Sequence, residues 1–172
     1  GKFDMGWDEY QRQTHERQLA LGVIPPGTQR TERPAEIAAW EDASPEEQRL
    51  YARFAENYAD FLEHTDYEVG RLVDAVADLG QLENTLVIYI VGDNGSSAEG
   101  TPGGVINEMM ALNGVQPELA ETLERMDEIG LPGTSPHYPV GWAWASDAPY
   151  QWTKQIASHF GGTRNPMVIS WP

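Results

Sequence analysis

An α/β fold with a mostly parallel central sheet flanked by helices is predicted by three features of this 172-residue sequence. Apolar residues recur in steps of three and four from Leu50 through Phe54, Tyr58, Phe61 and Leu62 to Val76 and Leu79, the spacing of a long amphipathic helix. After a short turn, residues 85–91 form a continuous β-branched, apolar run, which reads as a strand buried on both faces. A second such run occupies residues 167–171. Helix, short turn and buried strand make half of an α/β unit.

Taken in order, residues 8–21 are polar and read as a surface helix that ends at Ile24-Pro25-Pro26-Gly27. Residues 28–43 read as a surface loop anchored by Trp40. Ser44-Pro45-Glu46-Glu47 is a helix start, with an N-cap serine, proline at the first helical position and glutamate at the third. The helix is expected to reach Gly80, with a break near His64 to Asp66. Residues 96–115 and 130–150 read as loops, residues 116–129 as a helix and residues 152–159 as a short helix before the Gly161-Gly162 turn. The sequence begins at Gly1 and stops on a hydrophobic strand, which predicts a piece of a longer protein.

Composition narrows the function. Eleven basic and 27 acidic residues give a formal net charge of −16. That balance argues against nucleic acid and against anionic membrane surfaces, both of which need clustered Lys and Arg. No apolar run is long enough to cross a membrane. With no cysteine in these residues, disulfides, thiolate metal sites and a cysteine nucleophile are excluded within them.

The predicted first strand ends in Gly92-Asp93-Asn94-Gly95. Asp93 and Asn94 offer two oxygen ligands of the kind that suit calcium or magnesium, at the carboxyl end of a strand where α/β proteins bind ligands. A tight Asn-Gly turn is the competing reading, weakened because residues 96–100 make a poor second hairpin strand. Lys154 and His159 precede the Gly161-Gly162 turn and form either an anion-holding pair or a solvent-facing lysine with a helix-end histidine. His64 with Asp66 reads as a ligand pair or a helix kink. His137 in the proline-rich loop reads as a candidate substrate contact, and Arg164 as a candidate partner for one of the many carboxylates. Trp142, Trp144 and Trp152 either line a ring-binding pocket or pack in a core.

Together these segments resemble the type I sulfatases of the alkaline-phosphatase superfamily, and bacterial arylsulfatases in particular. Residues 82–95 read LENTLVIYIVGDNG and residues 149–166 read PYQWTKQIASHFGGTRNP; similar stretches open at residues 1–8 and 61–66, so the likeness runs along nearly the whole chain. The Asp-Asn-Gly motif is weak alone and strong in union with the Lys-His-Gly-Gly segment about 60 residues on.

The resemblance implies an alkaline-phosphatase-like α/β sandwich and hydrolysis of sulfate monoesters. It implies Asp93 and Asn94 as ligands of Ca2+ or another divalent cation such as Mg2+, Lys154 as a contact to the sulfate oxygens, and His159 as a further catalytic residue. In that family a hydrated formylglycine, made from Cys or Ser in a Cys/Ser-x-Pro-x-Arg motif, attacks sulfur. That motif is absent from these residues, as are the paired upstream aspartates.

Residues 1–172 are thus expected to be a partial catalytic domain, without the nucleophile region and the C-terminal subdomain, and inactive alone. The expected partner is a small sulfate ester, and export to the periplasm or medium is expected from the family. Two other readings stay open: a phosphodiesterase or phosphonate hydrolase of the same superfamily, and a non-catalytic binding protein derived from a sulfatase.

Overall fold

A computed structural model of the chain describes residues 1–92 and 94–172. Among them are helices α1 (Gly6–Ala20), α2 (Pro45–Asp78), α3 (Glu108–Leu112), α4 (Leu119–Glu124) and α5 (Val140–Ser146), and strands β1 (Val87–Ile90) and β2 (Met167–Ser170).

The helix α2 starts as its sequence dictates. The Ser44 hydroxyl accepts from the Glu47 amide at 3.3 Å, and the Glu47 carboxylate accepts from the Ser44 amide at 2.8 Å. Each satisfies an amide that the first helical turn leaves without a partner. The 34 residues of α2 span about 51 Å at about 1.5 Å per residue. The break expected near His64 is not found. No proline or glycine interrupts residues 46–69, and the Thr65 hydroxyl bonds back to the Phe61 carbonyl at 2.9 Å within continuous helix.

Only the first third of α2 is buried. Leu50, Tyr51, Ala52, Phe54 and Ala55 face a core that also holds Trp7 from α1 and Trp142, Ala143, Trp144 and Ala145 from α5. Aromatic rings interlock there edge to face. Trp7 meets Trp40 at 4.9 Å between centroids and Trp142 meets Phe3 at 5.3 Å, arrangements favoured by the ring quadrupoles. The Trp142 indole donates to the Tyr51 carbonyl at 3.0 Å, tying α5 to α2.

The first helix is less superficial than its polar sequence predicts. Gln11 and His15 are buried, with Gln11 donating to the Thr31 carbonyl at 3.0 Å and His15 bonded to the Thr28 carbonyl at 3.0 Å. These bonds fasten the loop that follows. Trp40 anchors the same loop, as expected.

Three expectations change. Residues 130–150 contain α5, the most buried helix, because Pro139 stands at its N-cap and starts a helix instead of breaking one. Residues 96–115 contain α3, capped by the Asn107 side chain accepting from the Met109 amide at 3.0 Å. Residues 152–159 form turns in place of a helix, with Trp152 and Gln155 in the left-handed region at φ of 65° and 77°. The segment 116–129 divides into α4 and a 3-10 turn at Met126–Glu128.

The two predicted strands exist, yet they pair antiparallel, with Val87 opposite Ser170 and Ile90 opposite Met167. The parallel central sheet expected from the sequence is therefore not what β1 and β2 form. The intervening chain leaves and returns at the same end of the pair, where the Val91 amide donates to the Pro166 carbonyl at 3.2 Å. A parallel pair needs a crossover to the far end. Nor are the strands buried on both faces: β2 is exposed throughout, and Ile88 and Ile90 of β1 are exposed. The apolar run that predicted a covered strand is present, and the described residues do not cover it.

Candidate active-site cleft

Beyond the C-terminal end of β1 lies a cleft of about 840 Å³. One wall is the outer face of α2, with Arg53, Tyr58, Phe61 and His64; another is the segment from Ile129 to Tyr138; Asn94 to Ser97 and Lys154 complete it. Asn94 and Lys154, sixty positions apart, thus share one cavity.

Glycine makes this approach possible. Gly95 has φ of +81°, and a Cβ placed there would collide with the Gly161 carbonyl. The Gly161-Gly162 turn and Gly95 therefore touch backbone to backbone. The Asn165 side chain accepts from the Gly95 amide at 3.0 Å, and the Lys154 amide donates to the Ser96 carbonyl at 3.0 Å. These bonds fix the lysine-bearing segment against the end of β1.

The adjoining loop is held by Asp147, just past α5. Its carboxylate accepts from the Ser96 amide at 3.1 Å and the Ser96 hydroxyl at 2.9 Å. Burial lifts the Asp147 carboxyl from 3.8 to about 6, against the opposing pull of the two Ser96 hydrogen bonds. Burial likewise pushes the hydroxyls of Tyr138 and Tyr58 above the ordinary tyrosine range.

The Lys154 ammonium donates to Glu99 Oε2 at 2.8 Å, and this contact, followed by the Ser97 hydroxyl, holds the Glu99 carboxyl below its usual range. His137 Nε2 lies 2.8 Å from the Ser97 hydroxyl, while its Nδ1 faces the Tyr138 carbonyl at 3.1 Å. Glu99 and Ser97 carry no motif that sequence reading singled out. The available signal was local: the Ser97 hydroxyl accepts from the Glu99 amide at 3.3 Å, the turn that a serine makes with the amide two residues on.

The other expected residues are distributed as follows. Asp93 lies outside the described residues. Asn94 is exposed on the cleft rim. His159 stands apart from the cleft wall, with Nδ1 2.9 Å from the Ser158 hydroxyl and its ring at 6.1 Å from Trp152, so Lys154 and His159 do not converge. His64 lines the cleft without Asp66. Arg164 lies over the Tyr150 and Phe160 rings at 5.7 and 5.2 Å. Trp142 and Trp144 are core residues outside the cleft, Trp142 bordering a smaller cavity beside Phe3 and Tyr10, and Trp152 is 40% exposed, also outside the cleft.

Among the described residues no group of three or more His, Cys, Asp or Glu side chains converges as a metal site. What they do offer is a partly desolvated lysine, neighbouring hydroxyls and an arginine around a cavity, a donor set suited to an oxyanion. No helix among the described residues is long and apolar enough to cross a membrane.

Packed helices thus stand beside a small sheet, with the cleft at the end of its first strand. The chain belongs to the sulfatase family, whose model matches residues 8–172. It is similar to an uncharacterized sulfatase of Schizosaccharomyces pombe, 29% identical over 177 residues that take in all of this chain and 30% of that protein. It is also similar to an arylsulfatase of Klebsiella aerogenes, 27% identical over 173 residues, all of this chain and 35% of that protein. The chain spans about a third of the length of these curated relatives.

Proposed function

We propose that this chain forms part of the catalytic domain of a sulfuric ester hydrolase that acts on sulfate monoesters. The observation that carries the proposal is the meeting of Asn94 and Lys154 in one cleft of a chain from the sulfatase family. A sulfate ester bears negative charge on its oxygens, and the leaving oxygen gains more in the transition state. A lysine fixed at the cleft wall stabilises that charge where it develops, and more strongly in a cleft than in water. It also offsets the repulsion that a chain of net charge −16 exerts on an anion.

In this proposal Asp93 and Asn94 contribute two oxygen ligands to a Ca2+ or Mg2+ ion, and the remaining ligands and a formylglycine nucleophile come from outside these 172 residues. Calcium takes about six to eight oxygen ligands. The 172-residue chain alone is therefore expected to bind calcium weaker than millimolar and to turn over no ester. Calorimetric titration checks this; a tighter isotherm abolished by Asp93→Ala contradicts it.

The test of function uses the full-length protein that carries this chain, assayed with p-nitrophenyl sulfate and p-nitrophenyl phosphate. The sulfate ester is expected to be preferred, and Lys154→Ala to lower kcat/KM by about 10²-fold, the usual effect of removing one donor to a developing anion. A preference for the phosphate ester overturns the reading in favour of the phosphodiesterase class. Turnover of neither favours a binding protein.

A further inference from the structure

We propose that Glu99 is a positioning residue: it holds the Lys154 ammonium on the cleft wall, leaving the lysine's two other N–H donors for a bound oxyanion. The inference deepens the sulfatase reading and rests on its assignment of Lys154 to the anion.

Both oxygens of Glu99 are anchored. Oε2 accepts from Lys154 Nζ at 2.8 Å and from the Ser97 hydroxyl at 2.8 Å; Oε1 accepts from Gln155 Nε2 at 2.9 Å. The Ser97 hydroxyl is in turn 2.8 Å from His137 Nε2, and the His137 backbone exchanges two hydrogen bonds with Val105, at 2.8 and 2.9 Å. Gly100 presses the same turn onto this wall, since a Cβ there would collide with the Tyr138 carbonyl. Glu99 is thus fixed from the protein side, while Lys154 lines the cleft and Glu99 does not.

The need for such a device is physical. A lysine head sits on a flexible stem that loses rotamer freedom when the head is fixed. In a chain with 27 acidic residues, an untethered ammonium has many competing carboxylates. A carboxylate that orders the lysine beforehand lowers the cost of ordering it on ligand binding. The depressed Glu99 carboxyl stays ionised at neutral pH, so the tether holds there.

Positioning and competition predict opposite signs. If Glu99 merely competes with the anion for Lys154, neutralising it tightens anion binding. If it positions the lysine, removing it loosens binding. The experiment measures inorganic sulfate Kd by calorimetry, and kcat/KM for p-nitrophenyl sulfate, in the full-length protein. Variants are Glu99→Ala, Glu99→Gln, Lys154→Met and the Glu99→Ala/Lys154→Met double. Loss of one charge-assisted contact predicts about tenfold weaker sulfate binding and lower kcat/KM for Glu99→Ala.

Glu99→Gln, which keeps an oxygen acceptor for Nζ, should lose less. In the Lys154→Met background Glu99→Ala should change Kd by less than about twofold, because its effect passes through the lysine. Tighter sulfate binding by both Glu99 variants overturns the proposal. So does an equal loss in the Lys154→Met background, which marks a general structural defect. An unchanged Kd for Glu99→Ala, with Lys154→Met impaired, overturns it and leaves the sulfatase reading standing. An unchanged Kd for Lys154→Met removes the lysine assignment and the proposal together.

Discussion

Gly95 and Asp147 carry the geometry of the cleft at the scale of single residues. Gly95→Ala places a methyl group against the Gly161 carbonyl with φ held at +81°. One of the two must move, so the substitution is expected to cost about 2 kcal/mol or more, read as a lowered urea midpoint. Asp147 gives a pH signature. Its carboxyl is raised to about 6 in the folded chain, so the folded state binds its proton more tightly than the unfolded state does. Below about pH 3 both states are protonated and the group is neutral to stability. As pH rises toward 6 the unfolded chain ionises first, and stability falls to a full penalty above that.

Asp147→Asn removes the titration. Its stability relative to wild type should therefore rise by about 1–3 kcal/mol between about pH 3 and pH 7, with partial solvent contact favouring the lower figure. A pH-independent difference between the two denaturation curves counts against burial as the cause. At this scale Lys154 and Asn94 were legible because they sit in motifs. Glu99 and Asp147 were not, because each acts through a fold-dependent contact 55 and 51 residues away in sequence.

Among the elements, α2 shows what periodicity does and does not report. Its start was legible in Ser44-Pro45-Glu46-Glu47, since capping is local chemistry. Ser44→Ala breaks the capping box and is expected to cost about 1 kcal/mol, measured by chemical denaturation. The apolar stripe correctly gave the helix its face, but the stripe does not say how much of that face is covered: Phe54 is buried while Leu72 and Leu79 are exposed. Leu50→Ala should therefore cost about 2–5 kcal/mol, and Leu72→Ala less than about 0.5 in the same chain. The converse case is α5, hidden from sequence reading by the prolines that flank it and by its tryptophans. Pro139 reads as a loop breaker until its position at the helix start is known. Trp142 and Trp144 read equally as pocket or core until α1 and α2 are seen to close over them.

For the whole molecule, two opposed forces set the behaviour of the 172-residue chain in solution. Ile88 and Ile169 are paired across the β1–β2 ladder, and both are exposed, with Ile90, Met167, Val168 and Trp171 around them. A two-stranded sheet needs a third strand or a packed helix for stability, and contiguous bare apolar surface drives association. The net charge of −16 opposes that association by mutual repulsion. Salt separates the two. At about 0.01 M ionic strength the screening length is about 30 Å and repulsion acts across the whole molecule; at about 1 M it is about 3 Å and the apolar faces dominate. The isolated chain is therefore expected to be monomeric at low salt, to associate as salt rises, and to bind a hydrophobic dye at both. Lysine at the paired positions, Ile88→Lys with Ile169→Lys, should lower dye binding and shift association to higher salt, while leaving the helical core intact by circular dichroism. Light scattering across a salt series makes the measurement. Association that weakens with salt would show that charge complementarity, and not the uncovered sheet, brings the chains together.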